Sequence, residues 1–189
     1  MSAEAPGVGE VTDSVFAAER PAVCAALDGF IVKFNEVLAP LWGVLIGVIL
    51  FNVVARYAFS MGMVSLEELQ WHIYSAGFLF GLSYAVVTDD HVRVDVAQQL
   101  LPRRARIVIE IFGLMFCLIP IATVIFWYSL PFVANAWILG ETSNSPGGLP
   151  SRWIVKGFIT IGSLMLVLAA LSRLIRCFVA FRQLGTRRA

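Results

Sequence analysis

The chain has 189 residues, 59% of them apolar and 14% charged, with a net charge of +1 and a mean hydropathy of +0.81. That balance excludes a surface built to attract nucleic acid or another polyanion, and it is far too apolar for an ordinary water-soluble domain. Cys24, Cys117 and Cys177 are widely separated and form no ligand-spaced pair, so they read as apolar filler rather than as a metal or disulfide framework.

Residues 1–27 mix Pro, Gly, Glu and Asp with alanine, and no positive stretch precedes an apolar one. They read as a flexible tail rather than a cleavable secretion signal, followed by a short interfacial helix through Ala25–Phe34. Four long apolar segments then follow, at about 37–59, 69–88, 107–134 and 153–175. Each reaches the roughly 20 residues that a helix rising 1.5 Å per residue needs to cross about 30 Å of hydrocarbon. The expected fold is an all-α membrane protein, with a four-helix domain over 28–180 and a basic tail over 181–189.

The first span, from Pro40, carries Gly43 and Gly47 at a spacing that puts both on one face and permits close helix approach. Asn52 sits where an unpaired amide is costly in hydrocarbon, so a hydrogen bond within the bundle or to another chain is expected. Arg56 and Tyr57 close the segment as a snorkelling cation and an interfacial aromatic.

Glu67 and Glu68 stand just before the second span. Ser65 with Glu68 reads as a capping box, and both acids would suit the positive end of a helix. A second reading is a polar cluster, with Arg56 pairing one of the acids to fix the first two helices or to meet another subunit. Trp71, His72 and Tyr74 suit the interfacial belt, and Gly77 and Gly81 repeat the small-residue spacing.

Asp89–Arg106 is the most distinctive polar stretch. Val94, Ala97 and Leu101 fall on one side of a helix, which predicts a short amphipathic interfacial helix over 92–101, stopped by Pro102. Asp89, Asp90, His91 and Asp95 lack the ordered spacing of a calcium loop, so no metal is expected. Pro120 should kink the third span. The connection 138–152 reads as a structured turn, and its Gly147-Gly148 pair lacks the lysine and strand–helix setting of a phosphate loop.

Arginines at 173, 176, 182, 187 and 188, with Arg93, Arg103, Arg104 and Arg106, place both termini and the 89–106 connection on the cytoplasmic side. No nucleotide motif is present, and the spans carry too little central charge for a self-contained ion path. The two histidines, His72 and His91, fall at opposite ends of the second span, too far apart to grip one haem together. No cofactor is expected.

NVVARYAF at 52–59, the Glu67-Glu68 pair with Trp71, GLSYAVVTDDHVRVDV at 81–96 leading into QLLP, and ETSNSPGGLPSRWIVK at 141–156 are similar to one family. Over residues 30–180 the chain resembles the DctQ-like small membrane subunit of tripartite ATP-independent periplasmic (TRAP) transporters. The resemblance implies a non-enzymatic small permease subunit in the bacterial inner membrane. Its implied partners are a large membrane subunit carrying the substrate and sodium sites, and a periplasmic solute-binding protein that delivers organic acids. The small subunit would brace the static scaffold of an elevator driven by an ion gradient, and the long loop leans toward 2-oxo acids or other monocarboxylates as cargo. Carried over to this chain, Arg56, Tyr57, Glu67, Glu68, Trp71, His91, Arg93 and Asp95 would serve assembly and orientation. The alternatives are a redox-enzyme anchor binding haem or quinone, which visible haem absorption would reveal, and a small self-contained channel.

Overall fold

A computed structural model describes residues 21–89 and 102–186. The interfacial helix expected at 92–101, most of the expected N-terminal tail and the last three residues lie outside the described residues. The described residues form helices α1 (Ala22–Leu38), α2 (Pro40–Phe59), α3 (Val64–Thr88), α4 (Arg103–Phe112), α5 (Ile119–Ile138) and α6 (Trp153–Thr186).

Helix α1 begins before the expected boundary at residue 27 and is 17 residues long, not the short element expected at 25–34. Ala39 keeps helical backbone angles, so α1 runs on toward α2. Pro40 supplies no N–H there, and the chain tightens around it: Ala39 N–H bonds to Glu36 O and Trp42 N–H to Ala39 O. Helix α2 ends on Ser60 in the left-handed region (φ 54°), with Met61 N–H reaching back to Ala55 O.

The third apolar segment is one long helical path. Gly113–Leu118 between α4 and α5 is π-helical, and Ile119 N–H bonds five residues back to Leu114 O. The widened turn ends just before Pro120, which therefore starts a fresh α-helical turn instead of interrupting one. Sequence reading expects Pro120 to kink the helix or free a carbonyl locally; the irregular stretch, Gly113–Leu118, ends two residues before it. Pro131 does sit inside α5, and it leaves Trp127 O without its usual donor.

Helix α6 is the central element, packing on α1, α3, α4 and α5, while α2 leans mainly on α3. One core joins Ile31, Ala76, Phe80, Val86, Met165 and Ala169 from α1, α3 and α6. Another joins Ile107, Leu114, Ala170, Cys177 and Ala180 from the third segment and α6. Small residues on α6 allow this: a Cβ on Gly162 would lie 3.0 Å from Leu79 Cβ. On α3, a Cβ at Gly77 would lie 2.8 Å from Trp42, so that glycine admits the indole, whereas Gly43, Gly47 and Gly81 face open space.

Among the described residues, three stretches are long and apolar enough to cross a membrane: Ala22–Phe59, Arg104–Ile138 and Trp153–Gln183. Helix α3 has the length, at 25 residues, but its first turns carry Glu67, Glu68, Gln70 and His72. It lies inside the bundle, meeting α1, α2 and α6. The outward faces of the other helices expose Phe51, Val54, Phe116, Val124 and Trp127, a surface that water does not tolerate at this extent. The chain is an all-α, multi-pass membrane protein.

Candidate assembly site

Two polar clusters tie the helices together, one at each end of α3. About 20 residues of α3 separate Glu67 and Glu68 from Val87 and Asp89, so the clusters are about 30 Å apart.

At the first end the two glutamates have different partners. Arg56 of α2 donates to Glu67 of α3, with the side chains 54% and 39% exposed, so this pair joins the first two helices at the bundle surface. The capping box expected from Ser65 and Glu68 does not form. Helix α3 starts two residues earlier, at Val64, with Met63 before it and no side-chain cap; Leu66 and Glu67 N–H bond to Met63 O instead. Glu68 is thereby free to reach the α5–α6 connection, where it accepts from Ser143 Oγ and, at 2.6 Å, from Leu149 N–H. These two donors, helped by the positive charge of Arg152, hold its carboxyl below the usual carboxylate range.

The connection is folded to receive that carboxylate. Glu141 N–H bonds to Ala136 O after Gly140 turns the chain at φ 57°, and Arg152 N–H bonds back to Glu141 O. Ser143 N–H bonds to Leu149 O, which closes a smaller loop inside the larger one. Gly147 supplies the left-handed turn (φ 76°), and Gly148 leaves room for Ser143 and Glu68, since a Cβ there would strike both. The glycine pair thus seats a carboxylate of the same chain. Lys156 pairs with Glu141 and lies 3.9 Å from the centre of the Phe132 ring; Trp137 and Trp153 meet edge to face at 4.5 Å.

At the opposite end the network is buried. Arg173 of α6 pairs with Glu110 of α4 and Asp89 at the end of α3, each at 2.6 Å. One turn on, Arg176 lies 3.4 Å from Asp28 of α1 and donates to Val87 O in the last turn of α3. Ser172 Oγ donates to the other oxygen of Asp28 at 2.7 Å. A cation at the carbonyl end of α3 also complements its dipole. Arg173 and Arg176 are 3% and 7% exposed, so α6 uses them as internal ties among four helices. Sequence reading took both as topology marks. Their depth within an apolar helix, with Asp28 and Glu110 equally isolated among apolar neighbours, is the signal that could have paired them.

Of the residues expected to serve assembly, the structure joins Arg56 to Glu67 and brings Glu68 to the α5–α6 connection. Tyr57 and Trp71 are exposed on the bundle surface, Trp71 making an edge-to-face contact with Tyr74. His91, Arg93 and Asp95 lie outside the described residues. His72 is held in its own helix, Nδ1 lying 2.6 Å from Glu68 O. Asn52 is buried as expected, but its Oδ1 has no hydrogen-bond partner among the described residues. No group of three potential metal ligands occurs among the described residues.

The family model described as "Tripartite ATP-independent periplasmic transporters, DctQ component" matches residues 45–180. No curated protein matches the chain.

Proposed function

Starting from the DctQ component family of tripartite ATP-independent periplasmic transporters, to which this chain belongs, we propose that its bundle is a rigid brace for a larger membrane subunit. As a member of that family the chain is a non-catalytic small permease subunit of a TRAP-type transporter. The observation that carries the bracing role is the pairing of clusters: a buried ionic tie at one end of α3 and a pinned connection at the other. A subunit that holds a scaffold still while a transport domain moves needs its own helices fixed at both ends.

In this reading α2, α3 from residue 69 onward, the α4–α5 path and α6 are four spans, with both termini on the cytoplasmic side of a bacterial inner membrane. The exposed apolar faces of α2 and α5 supply surface for lipid and for the large subunit. Tyr57 and Trp71 mark the headgroup boundary at the α5–α6 loop end. His91, Arg93 and Asp95 act with Glu67 in subunit assembly. The large subunit carries the substrate and coupling-ion sites, and a periplasmic binding protein delivers an organic acid, with 2-oxo acids and other monocarboxylates as the favoured cargo.

Reconstitution tests this division of labour. Vesicles holding this chain with the large subunit, binding protein and an ion gradient should accumulate organic acid, and vesicles lacking either membrane subunit should not. Flux through this chain alone would favour a self-contained channel and contradict the proposal.

A further inference from the structure

A groove of about 710 Å³ runs between α3 and the start of α6 on the bundle surface. Its walls are Trp71, Tyr74, Phe78 and Leu79 on α3 and Val155 and Ile159 on α6. The α3 positions recur on one helical face, so the lining is continuous along the axis, and the stretch from Val64 to Leu79 extends about 22 Å. The polar groups gather toward one end: Glu67, Glu68, His72, Ser145 and Arg152.

The charges at that end are unevenly satisfied. Glu67 is taken by Arg56, both oxygens of Glu68 are taken by the loop, and Lys156 is taken by Glu141. Arg152 is exposed, and among the described residues its guanidinium makes no direct hydrogen bond or ion pair, its charge acting on Glu68 only at longer range. A cation with no direct partner thus stands at the mouth of an apolar groove, beside the Trp71 and Tyr74 rings that suit headgroup depth.

We propose that this groove is a binding site for one glycerophospholipid, with an acyl chain along the α3–α6 wall and the phosphate on Arg152. The polar-to-apolar order along the groove matches a lipid lying parallel to the helices. A transmembrane helix would match the apolar wall but leave the guanidinium without an anion. Arginine presents a fork of donors suited to phosphate oxygens. The proposal does not rest on the transporter reading, because bound lipid is counted whether or not a large subunit accompanies the chain.

The test is native mass spectrometry of the full chain, with whatever partners it retains, extracted in mild detergent from membranes of phosphatidylethanolamine and phosphatidylglycerol. One phospholipid per chain should survive detergent washing. Arg152→Gln should lower that occupancy roughly ten-fold, Arg152→Lys should restore part of it, and Ser75→Phe, which narrows the groove floor, should lower it with Arg152 intact. Circular dichroism checks that each variant keeps its helices. Occupancy that is equal in all variants would overturn the site. So would displacement of the bound species by inorganic phosphate, or a photo-crosslinker at Val155 that captures polypeptide instead of lipid.

Discussion

Arg173 and Arg56 are both arginines paired with glutamate, yet their environments give them very different weight. Arg173 is buried between Glu110 and Asp89, so Arg173→Gln removes a buried cation from two largely buried carboxylates. Its expected cost is about 3–5 kcal/mol. Arg56 and Glu67 are about half exposed, and Arg56→Gln should cost less than about 1 kcal/mol. Thermal unfolding in detergent, followed by loss of helical signal, compares the two directly. Equal destabilisation would mean that the Arg173 network is as solvated as the surface pair. The same contrast separates the roles of the adjacent glutamates: Glu67 joins two neighbouring helices, whereas Glu68 holds a segment more than 70 residues further along the chain.

The α5–α6 connection is the element whose docking depends on a titratable group. The Glu68 carboxyl is held below its ordinary range by Ser143 and Leu149, so the folded chain favours the ionised form more than the unfolded chain does. Stability from this contact is therefore present above the unfolded carboxylate range, near pH 4.3, and is lost as pH falls through the folded value. Limited proteolysis of 140–152 should show protection at pH 7 and at pH 5, then increasing cleavage below about pH 4. Glu68→Gln should be cleaved faster at pH 7 and pH 5 and should converge with the wild type in acid; protection at pH 7 unchanged by that substitution would contradict the pin. Much at this scale was legible in the sequence, because the long apolar helices and the turn follow from hydropathy and local residue type. What was not legible was pairing. Glycine spacing singles out Gly43 with Gly47 and Gly77 with Gly81, but only Gly77 admits a neighbour closely. Gly162 has Phe158 and Leu166 four residues away, so spacing gives no hint that it meets Leu79. The Ser65–Glu68 capping pattern failed for a related reason: a local motif competed with a distant hydroxyl and amide, and the distant donors won.

At the scale of the whole molecule, α6 gathers α1, α3, α4 and α5, and the two clusters fix α3 against this assembly at both ends. Family and membrane class were readable from NVVARYAF, the Glu67-Glu68 pair and the 81–96 stretch, and the family match over 45–180 bears that out. The buried tie was hidden because Asp28, Glu110 and the 173–176 arginines are far apart in sequence, and each alone resembles an interfacial charge. A bundle fixed internally while presenting apolar faces outward is suited to supporting another membrane protein. The most direct test is purification of the tagged full chain from its native membrane in mild detergent, with identification of what accompanies it. The account predicts a stable complex with a large polytopic membrane subunit. A dehydrogenase or haem-bearing protein in its place, or the chain recovered alone under conditions that preserve membrane complexes, would contradict it.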